Sequence, residues 1–530
     1  MAKKDPLVPA STPFGYNVGI NYESWEVGRT GYSINADLNQ ISQNFHLIRT
    51  YHDAAVGTPD PTDPSIDLTQ LAVIKWIVKH PGNELVMGTN NNALANGGYG
   101  SPWSAGLMTD PHYTDQWVEM IINAFGSAQK VKIGLKAILL GNELDQNGPP
   151  PTDGSFSDYV NTWIPAAFDN LKASLAKYGL DSIPISTTIA NYGATNEVSV
   201  KVPAYIADHW GTAWNNGEPF VMFNQYTGDN QSSTQYGPVE KYFESVEKAL
   251  GSKLEVFVGE TGYSTYWGAS KQATVYTEIF DWLGGQKKVG GKTVPLFAFD
   301  AFDRPAVTSP ADEAQYGIYG ENSSSQPTGL KSGLAGIIPG WTSKHIGTAT
   351  NGANSLYGSE KGETIKALGG DDIVLGLGGN DRLFGQHGAD LLVGYNGADL
   401  LRGGTGADFL DGTRGEDILR GGPGDDTLVG GKQRDILKGG RGADTFVFDF
   451  KMTAKSAAMH RDKIIGFNPG EDSIHLAQSK FPELAVGALA DDDTHVTYKN
   501  GALFYDGIKF AKFAAHAPES LGDIDIVVYA

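Results

Sequence analysis

Acidic residues recur every nine positions through the C-terminal third of the chain: Glu363, then Asp372, Asp381, Asp390, Asp399, Asp408, Asp417, Asp426, Asp435 and Asp444. Two residues after each stands an apolar side chain, from Ile365 and Val374, through leucines at 383, 392, 401, 410, 419, 428 and 437, to Phe446. Glycine precedes the acid by two positions at 370, 379, 388, 397, 406, 415, 424 and 442, and the cleanest units read GGTGADFLD and GGPGDDTLV. Units this short have no core of their own, so they must stack and share one. Glycines allow tight turns that aim carbonyl oxygens inward, and aspartates add the hard oxygen ligands that calcium takes. The apolar residue belongs on a short strand facing the interior. The expectation is an all-β parallel β-roll in which the nine aspartates hold structural calcium. Without the ion, rows of carboxylates repel and a glycine-rich chain has much entropy to lose. A flexible Gly/Asp linker would not keep its acids and apolar residues in phase. The pattern falters at Lys361, Ala367 and Gln433, so calcium occupancy is expected to be weakest at the first turn and around Asp435.

The rest of the chain has another character. A length of 530 residues exceeds one ordinary core, and the glycine excess falls mostly after residue 350. Cysteine is absent, which excludes disulfides and thiolate metal sites. A formal charge of -21 argues against a nucleic-acid partner, which would need clustered Lys and Arg. No apolar run reaches transmembrane length. The start, MAKKDPLVPASTPFG, has no apolar stretch and does not read as a cleaved signal peptide. No surface specifies an oligomer, and a monomer is expected.

Between residues 15 and 320, β-rich runs alternate with helical periodicity. The strands are expected at 16–22, 45–51, 84–90, 137–143, 183–189, 219–226, 254–260 and 294–300, and helices at 68–80, 113–128, 158–177, 236–250 and 270–284. Continuously apolar strands fit a parallel sheet buried on both faces. Eight of them with helical crossovers predict a (β/α)8 TIM barrel, whose chemistry sits where the strands end. Those ends are polar here: Asn21-Tyr22, Arg49 to Asp53, Asn142-Glu143, Asn224-Gln225-Tyr226, Glu260 and Asp300 to Asp303. Glu143 and Glu260 follow apolar runs in LLGNELD and VFVGETG, on strands four and seven, which face each other across a barrel mouth. Two carboxylates sharing a cleft suit glycosidic cleavage, one protonating the leaving oxygen and one attacking the anomeric carbon. Tyr263 and Trp267, just after the second glutamate, offer flat platforms for pyranose rings, or pack against the rim.

Two resemblances sharpen this. The nonapeptides, with GADTFVFDF, RDKIIGFNPGEDSIHLA and the terminal DIDIVVYA, resemble the RTX family exported by type I secretion. That likeness covers about 350–530. It implies a β-rich cap, an uncleaved C-terminal export signal, the type I machinery as partner and an extracellular location. Over about 14–320, the ordered set GINYES, IRTYHD, VMGTNNNAL, GNE, FNQY, GETGYST and FDAFDRP resembles glycoside hydrolase family 17. That family's clan consists of retaining barrel glycosidases, and the family acts chiefly on β-1,3-glucans. The resemblance implies Glu143 as general acid/base, Glu260 as nucleophile and Asn142 as the contact to the sugar 2-hydroxyl. It also implies Arg49 and Tyr51 as an Arg-x-Tyr pair, and Tyr22 and Tyr226 as sugar-contacting or nucleophile-orienting aromatics. Asn224, Asp300 and Asp303 complete the candidate substrate contacts, and FDAFDRP departs from the family's strand-eight pattern. The expected activity is a secreted retaining endo-β-1,3-glucanase whose catalysis needs no metal. Transglycosylation, another β-linked glucan, and a non-catalytic carbohydrate-binding role stay open. The expected organisation is an extension at 1–13, a barrel at 14–320, a linker at 321–350, the roll at 351–450 and a cap with export signal at 451–530.

Overall fold

The computed structural model describes residues 18–22, 33–43, 45–50, 68–80, 82–89, 111–141, 159–189, 197–209, 220–224, 255–261, 272–277, 296–298, 319–321, 327–331, 334, 349, 351–352, 354–359, 361–450, 461–489, 493–514 and 517–529. The chain divides into two units, Met1–Ser343 and Lys344–Ala530.

In the first unit, short apolar segments align in parallel: β1 (Val18–Tyr22), β2 (Leu47–Thr50), β3 (Glu84–Gly88), β4 (Leu135–Leu139), β5 (Ile185–Ser186), β6 (Thr188–Ile189), β7 (Phe220–Asn224), β8 (Glu255–Thr261) and β9 (Leu296–Ala298). Every residue of β2, β3 and β4 is buried, as strands covered on both faces require. β5 and β6 are one segment parted at Thr187. Its first half pairs with β4 and its second with β7, while β9 pairs with both β8 and β1. The sheet therefore closes on itself as a parallel α/β barrel of eight segments. The seam is tied by side chains as well: Thr187 Oγ1 donates to the Leu140 carbonyl (2.6 Å) and Ser186 Oγ to the Phe220 carbonyl (2.5 Å).

Helices fill the crossovers: α1 (Ile34–Ile41), α2 (Leu68–Lys79), α3 (Pro111–Phe125), α4 (Ala128–Gly134), α5 (Ile164–Lys177) and α6 (Glu197–His209). Their buried residues follow helical spacing, as with Trp117, Val118, Ile121 and Phe125 of α3. Ser33 and Ser127 cap α1 and α4 by accepting the N–H groups of Ala36 and Lys130. The sequence had not suggested α1, α4 or α6; the first two are short, and Pro203 interrupts the helical signal of the third. The helix expected at 236–250 lies outside the described residues. An antiparallel pair, β10 (Tyr319–Glu321) with β11 (Pro327–Leu330), belongs to this first unit and occupies part of the stretch expected as linker.

In the second unit the chain alternates between two nine-stranded sheets, so each strand pairs in parallel with the strand 18 residues away. One sheet begins with β12 (Ser355–Tyr357), β14 (Ile373–Leu375), β16 (Leu391–Asn396), β18 (Phe409–Arg414), β20 (Thr427–Val429) and β22 (Thr445–Phe448). The other begins with β13 (Thr364–Lys366), β15 (Arg382–His387), β17 (Leu400–Thr405), β19 (Ile418–Pro423) and β21 (Ile436–Arg441). Between the sheets lies one file of side chains, from Leu356 and Ile365 through Leu392, Leu410 and Leu428 to Phe446, all nearly inaccessible to solvent. Burying each contributes roughly 1.5–3 kcal/mol.

Past the nonapeptides both sheets continue through β23 (Asp462–Ile465), β24 (Ser473–Ala477), β28 (Ile508–Ala514) and β29 (Asp525–Tyr529). The antiparallel β25 (Gly487–Ala488), β26 (Val496–Tyr498) and β27 (Ala502–Tyr505) close the edges. Aromatic rings plug the end of the core, among them Phe448 against Phe510 (5.0 Å between centroids) and Phe481 against Tyr505 (4.9 Å).

At the start of β3, Glu84 Oε1 lies 2.8 Å from Lys136 Nζ of β4, with both side chains buried. Removing one partner of a buried pair leaves the other charge in a poor medium and costs about 3–5 kcal/mol. Lys136→Met should therefore lower the barrel's melting transition, and Glu84→Leu combined with it should recover much of the loss. A single variant melting with the wild type would show that the pair contributes nothing.

Candidate functional site

At the C-terminal ends of the barrel strands a buried cation is held in a polar ring. Arg49 ends the apolar run of β2 and is 1% exposed. Its Nη1 donates to Asn21 Oδ1 on β1 (3.3 Å), and its Nη2 reaches Thr188 Oγ1 on β6 (3.0 Å). Asn21 and Arg49 are register partners, so their side chains rise from the same face of the sheet. Asn21 was expected only as one of the polar strand ends and Thr188 was not singled out; the usable signal was strand-end position combined with two-residue alternation.

That alternation revises the expectation for Tyr22. With Asn21 turned toward Arg49, Tyr22 turns the other way, is fully buried, and donates its hydroxyl to Asp37 Oδ2 of α1 (3.0 Å). It braces β1 against α1 and presents no exposed ring to a sugar.

Asn224 ends β7, is 3% exposed, and is the register partner of Glu260 on β8. Glu260 thus occupies the C-terminal end of the seventh segment of the ring. After β4 the chain passes Leu140 to Gly141, whose left-handed backbone (φ 73°) and N–H bond to Thr89 Oγ1 (3.0 Å) fix the exit from the strand. Asn142, Glu143, Tyr51, Tyr226, Tyr263, Trp267, Asp300 and Asp303 lie outside the described residues.

The second site is the acidic file of the roll. Each aspartate from Asp372 to Asp444 is at most 2% exposed. Its Oδ1 accepts the backbone N–H of the in-phase residue 18 positions earlier, at 2.9 Å for Asp372 to Asp390 and 2.8 Å for Asp399 to Asp417. Upstream the ladder begins at Asn354 and Glu363. Downstream it continues beyond the nonapeptides, where Asp435 N–H donates to Asp462 and Asp444 N–H to Asp472. The sequence reading missed Asp462 and Asp472 as rungs because insertions stretch the spacing to 27 and 28 residues. Their trace was the apolar residue two positions on, Ile464 and Ile474.

Oδ2 of all nine repeat aspartates is buried without a hydrogen-bond partner. Glycine lets that oxygen pack against the neighbouring backbone: a Cβ on Gly385 would stand 2.1 Å from Asp390 Oδ2 and 2.8 Å from the Gly403 carbonyl oxygen. A buried carboxylate oxygen without a partner, close to main-chain carbonyl oxygens, suits a hard cation. Among the described residues no three carboxylates or imidazoles converge, so main-chain oxygens would have to complete any coordination shell. The break at Gln433 does not interrupt the roll. Gln433 adopts the left-handed φ of 86° that glycine takes in the other turns, and Asp435 keeps its rung.

Comparison with known families finds four copies of the RTX calcium-binding nonapeptide repeat, at residues 348–383, 357–392, 384–419 and 420–449. Calcium is the structural ion of this region. A glucan endo-1,3-beta-glucosidase of Vitis vinifera is 23% identical over 344 residues, covering 57% of this chain and 88% of that protein. Among solved structures, a plant beta-glucan endohydrolase matches 57% of this chain and 96% of its own at 14% identity (TM-score 0.41). A family 1 β-glucosidase from Thermotoga maritima matches 63% and 99% at 12% identity (TM-score 0.39).

Burial pushes the ladder carboxyls upward, against the lowering effect of their backbone hydrogen bonds: Asp381, Asp390 and Asp426 to about 6, Asp408 and Asp444 to about 7, Asp417 to about 8. An acid whose folded pKa is raised takes up protons on folding, so the metal-free roll gains stability on acidification and loses it as pH rises through about 6–8. Calcium must displace those protons and so binds more tightly across the same rise. In chelator, the roll's far-UV circular dichroism should be stronger near pH 5.5 than near pH 8, while calcium titrations should show the higher affinity at pH 8. A calcium midpoint independent of pH would contradict this.

Proposed function

We propose that the first unit is a retaining glycosidase that cuts β-1,3-glucan chains internally, and that the second is its calcium-folded export module. The observation that carries the catalytic reading is the position of Glu260 at the end of β8 in register with Asn224, with the GNE motif of Glu143 following β4 three segments earlier in the ring. The ordered family 17-like motifs and the similarity to the Vitis vinifera glucan endo-1,3-beta-glucosidase support the same reading.

In this mechanism Glu143 protonates the glycosidic oxygen while Glu260 attacks the anomeric carbon. Glu143, now a base, then deprotonates the water that releases the sugar with its configuration retained. Double displacement needs the carboxylates about 5–5.5 Å apart. Arg49, clamped by Asn21 and Thr188, supplies positive potential that favours an ionised nucleophile. Asn142 and Asn224 would hold sugar hydroxyls or orient the glutamates, with Tyr51, Tyr226, Tyr263, Trp267, Asp300 and Asp303 as further rim contacts. Tyr22 acts through the β1–α1 brace. On export, calcium held by Asp372, Asp381, Asp390, Asp399, Asp408, Asp417, Asp426, Asp435 and Asp444 would order the roll outside the cell, where calcium is plentiful.

Glu143→Gln and Glu260→Gln should each lower kcat/KM on laminari-oligosaccharides by at least about 10²-fold, with circular dichroism unchanged. Azide should rescue alanine variants at both positions, giving an inverted glycosyl azide from the Glu260 variant and a retained one from the Glu143 variant. Inverted wild-type products would overturn double displacement. Products longer than the substrate would make the enzyme a transglycosylase, and cleavage confined to another linkage on a glucan panel would reassign the substrate.

A further inference from the structure

The two faces of the roll differ in charge. On β13, β15, β17, β19, β21 and β23, the positions flanking the core residue point outward, and no Asp or Glu occupies any of them. One row runs Lys366, Phe384, Arg402, Arg420, Lys438, each residue the register partner of the next. A second row carries Arg382 and Lys463, the latter paired in register with Lys512 of β28. All these cations are exposed. The corresponding positions on β12, β14, β16, β18, β20, β22 and β24 hold no Lys or Arg at all. In a chain of net charge -21, this segregation sets one sheet face apart.

We propose that this face binds a linear anionic polysaccharide, a polyuronate or its sulfated equivalent, laid across the strands. Adjacent strands stand about 4.8 Å apart, so Arg402, Arg420 and Lys438 form a straight file of evenly spaced charges, and the basic stretch from β13 to β28 spans roughly 29 Å. The spacing is locked by the in-register ladder, which matches a polymer with a regular charge repeat better than a fluid lipid surface. Beside the file, Leu400, Ile418 and Ile436 are half-buried and make a flat apolar strip, a footing for the C–H faces of pyranose rings. The Arg402 guanidinium lies 5.7 Å from the Phe384 ring centroid, within cation–π range, which holds it down along the sheet. A duplex nucleic acid would meet a flat strip along only a short arc of its curved backbone. The inference is independent of the catalytic reading.

The test uses the full-length, calcium-loaded protein and an immobilised oligouronate too short to gel with calcium. Wild type should be retained at about 50 mM salt and released by about 0.5 M, as screening of surface charge requires. Arg402→Gln/Arg420→Gln/Lys438→Gln should weaken binding at least tenfold while leaving calcium titrations and the melt unchanged. Arg402→Lys/Arg420→Lys should stay within about threefold, and Arg434→Gln, which lies off this face, should bind as wild type. The proposal fails if the wild type is not retained, or if the triple variant binds equally well. It also fails if phosphatidylserine vesicles or duplex DNA are captured while the oligouronate is not.

Discussion

The roll depends on how each ladder aspartate divides its two oxygens. One accepts the backbone N–H of the turn stacked beside it, which fixes the register of strands 18 residues apart. A hydrogen bond to a charged group is worth about 1.5–3 kcal/mol. The other oxygen is buried without a partner, and an uncompensated buried ion costs several kcal/mol. The two effects are close enough that a proton or a cation decides the sign. Calcium dependence is thus built into the element that sets the fold, and the leucine file between the sheets cannot form until the turns that carry it have stacked.

Much of this was legible because the physical constraint is periodic. A nine-residue repeat of acid and apolar residue gave away the rungs, the core file and calcium. The barrel strands were legible for a different reason: burial on both faces leaves short continuous apolar runs, and the observed segments fall within two residues of the expected ends except at β4, which stops four residues before its expected end. What stayed hidden depends on contacts between segments. The division of one strand at Thr187, by which the sheet closes, has no sequence signature. Tyr22 and Asn21 are neighbours at a strand end that can both hydrogen-bond, and only the clamp on Arg49 shows which of them faces inward. Asp462 and Asp472 escaped because an insertion displaced the period while preserving the geometry.

The imperfect repeats show how much departure the architecture absorbs. At the position five residues after each acid from Glu363 to Asp435 the backbone is left-handed, yet Leu368, Leu377, Gln386, Tyr395 and Thr413 occupy it alongside the glycines. Each costs about 1–2 kcal/mol relative to an ordinary conformation. The turns persist because pairing on both sides over-determines them, as it does at Gln433. Glycine is indispensable where the obstacle is contact as well as conformation. A Cβ on Gly397 would meet the Gly379 carbonyl oxygen at 1.5 Å, which no rearrangement of a side chain relieves.

The acids recur every nine residues, but the outward-facing side chains follow a period of eighteen, since alternate strands enter opposite sheets. Lys366, Arg402, Arg420 and Lys438 share one face, while the equivalent residues half a period away, Leu375, Val393 and Val429, belong to the other. Core residues and outward residues sit on opposite sides of each strand, so a change in surface charge leaves the leucine file and the aspartate rungs untouched. A nine-residue motif thereby specifies the ion sites and the core, and the doubled period leaves each outer face free to take a chemistry of its own.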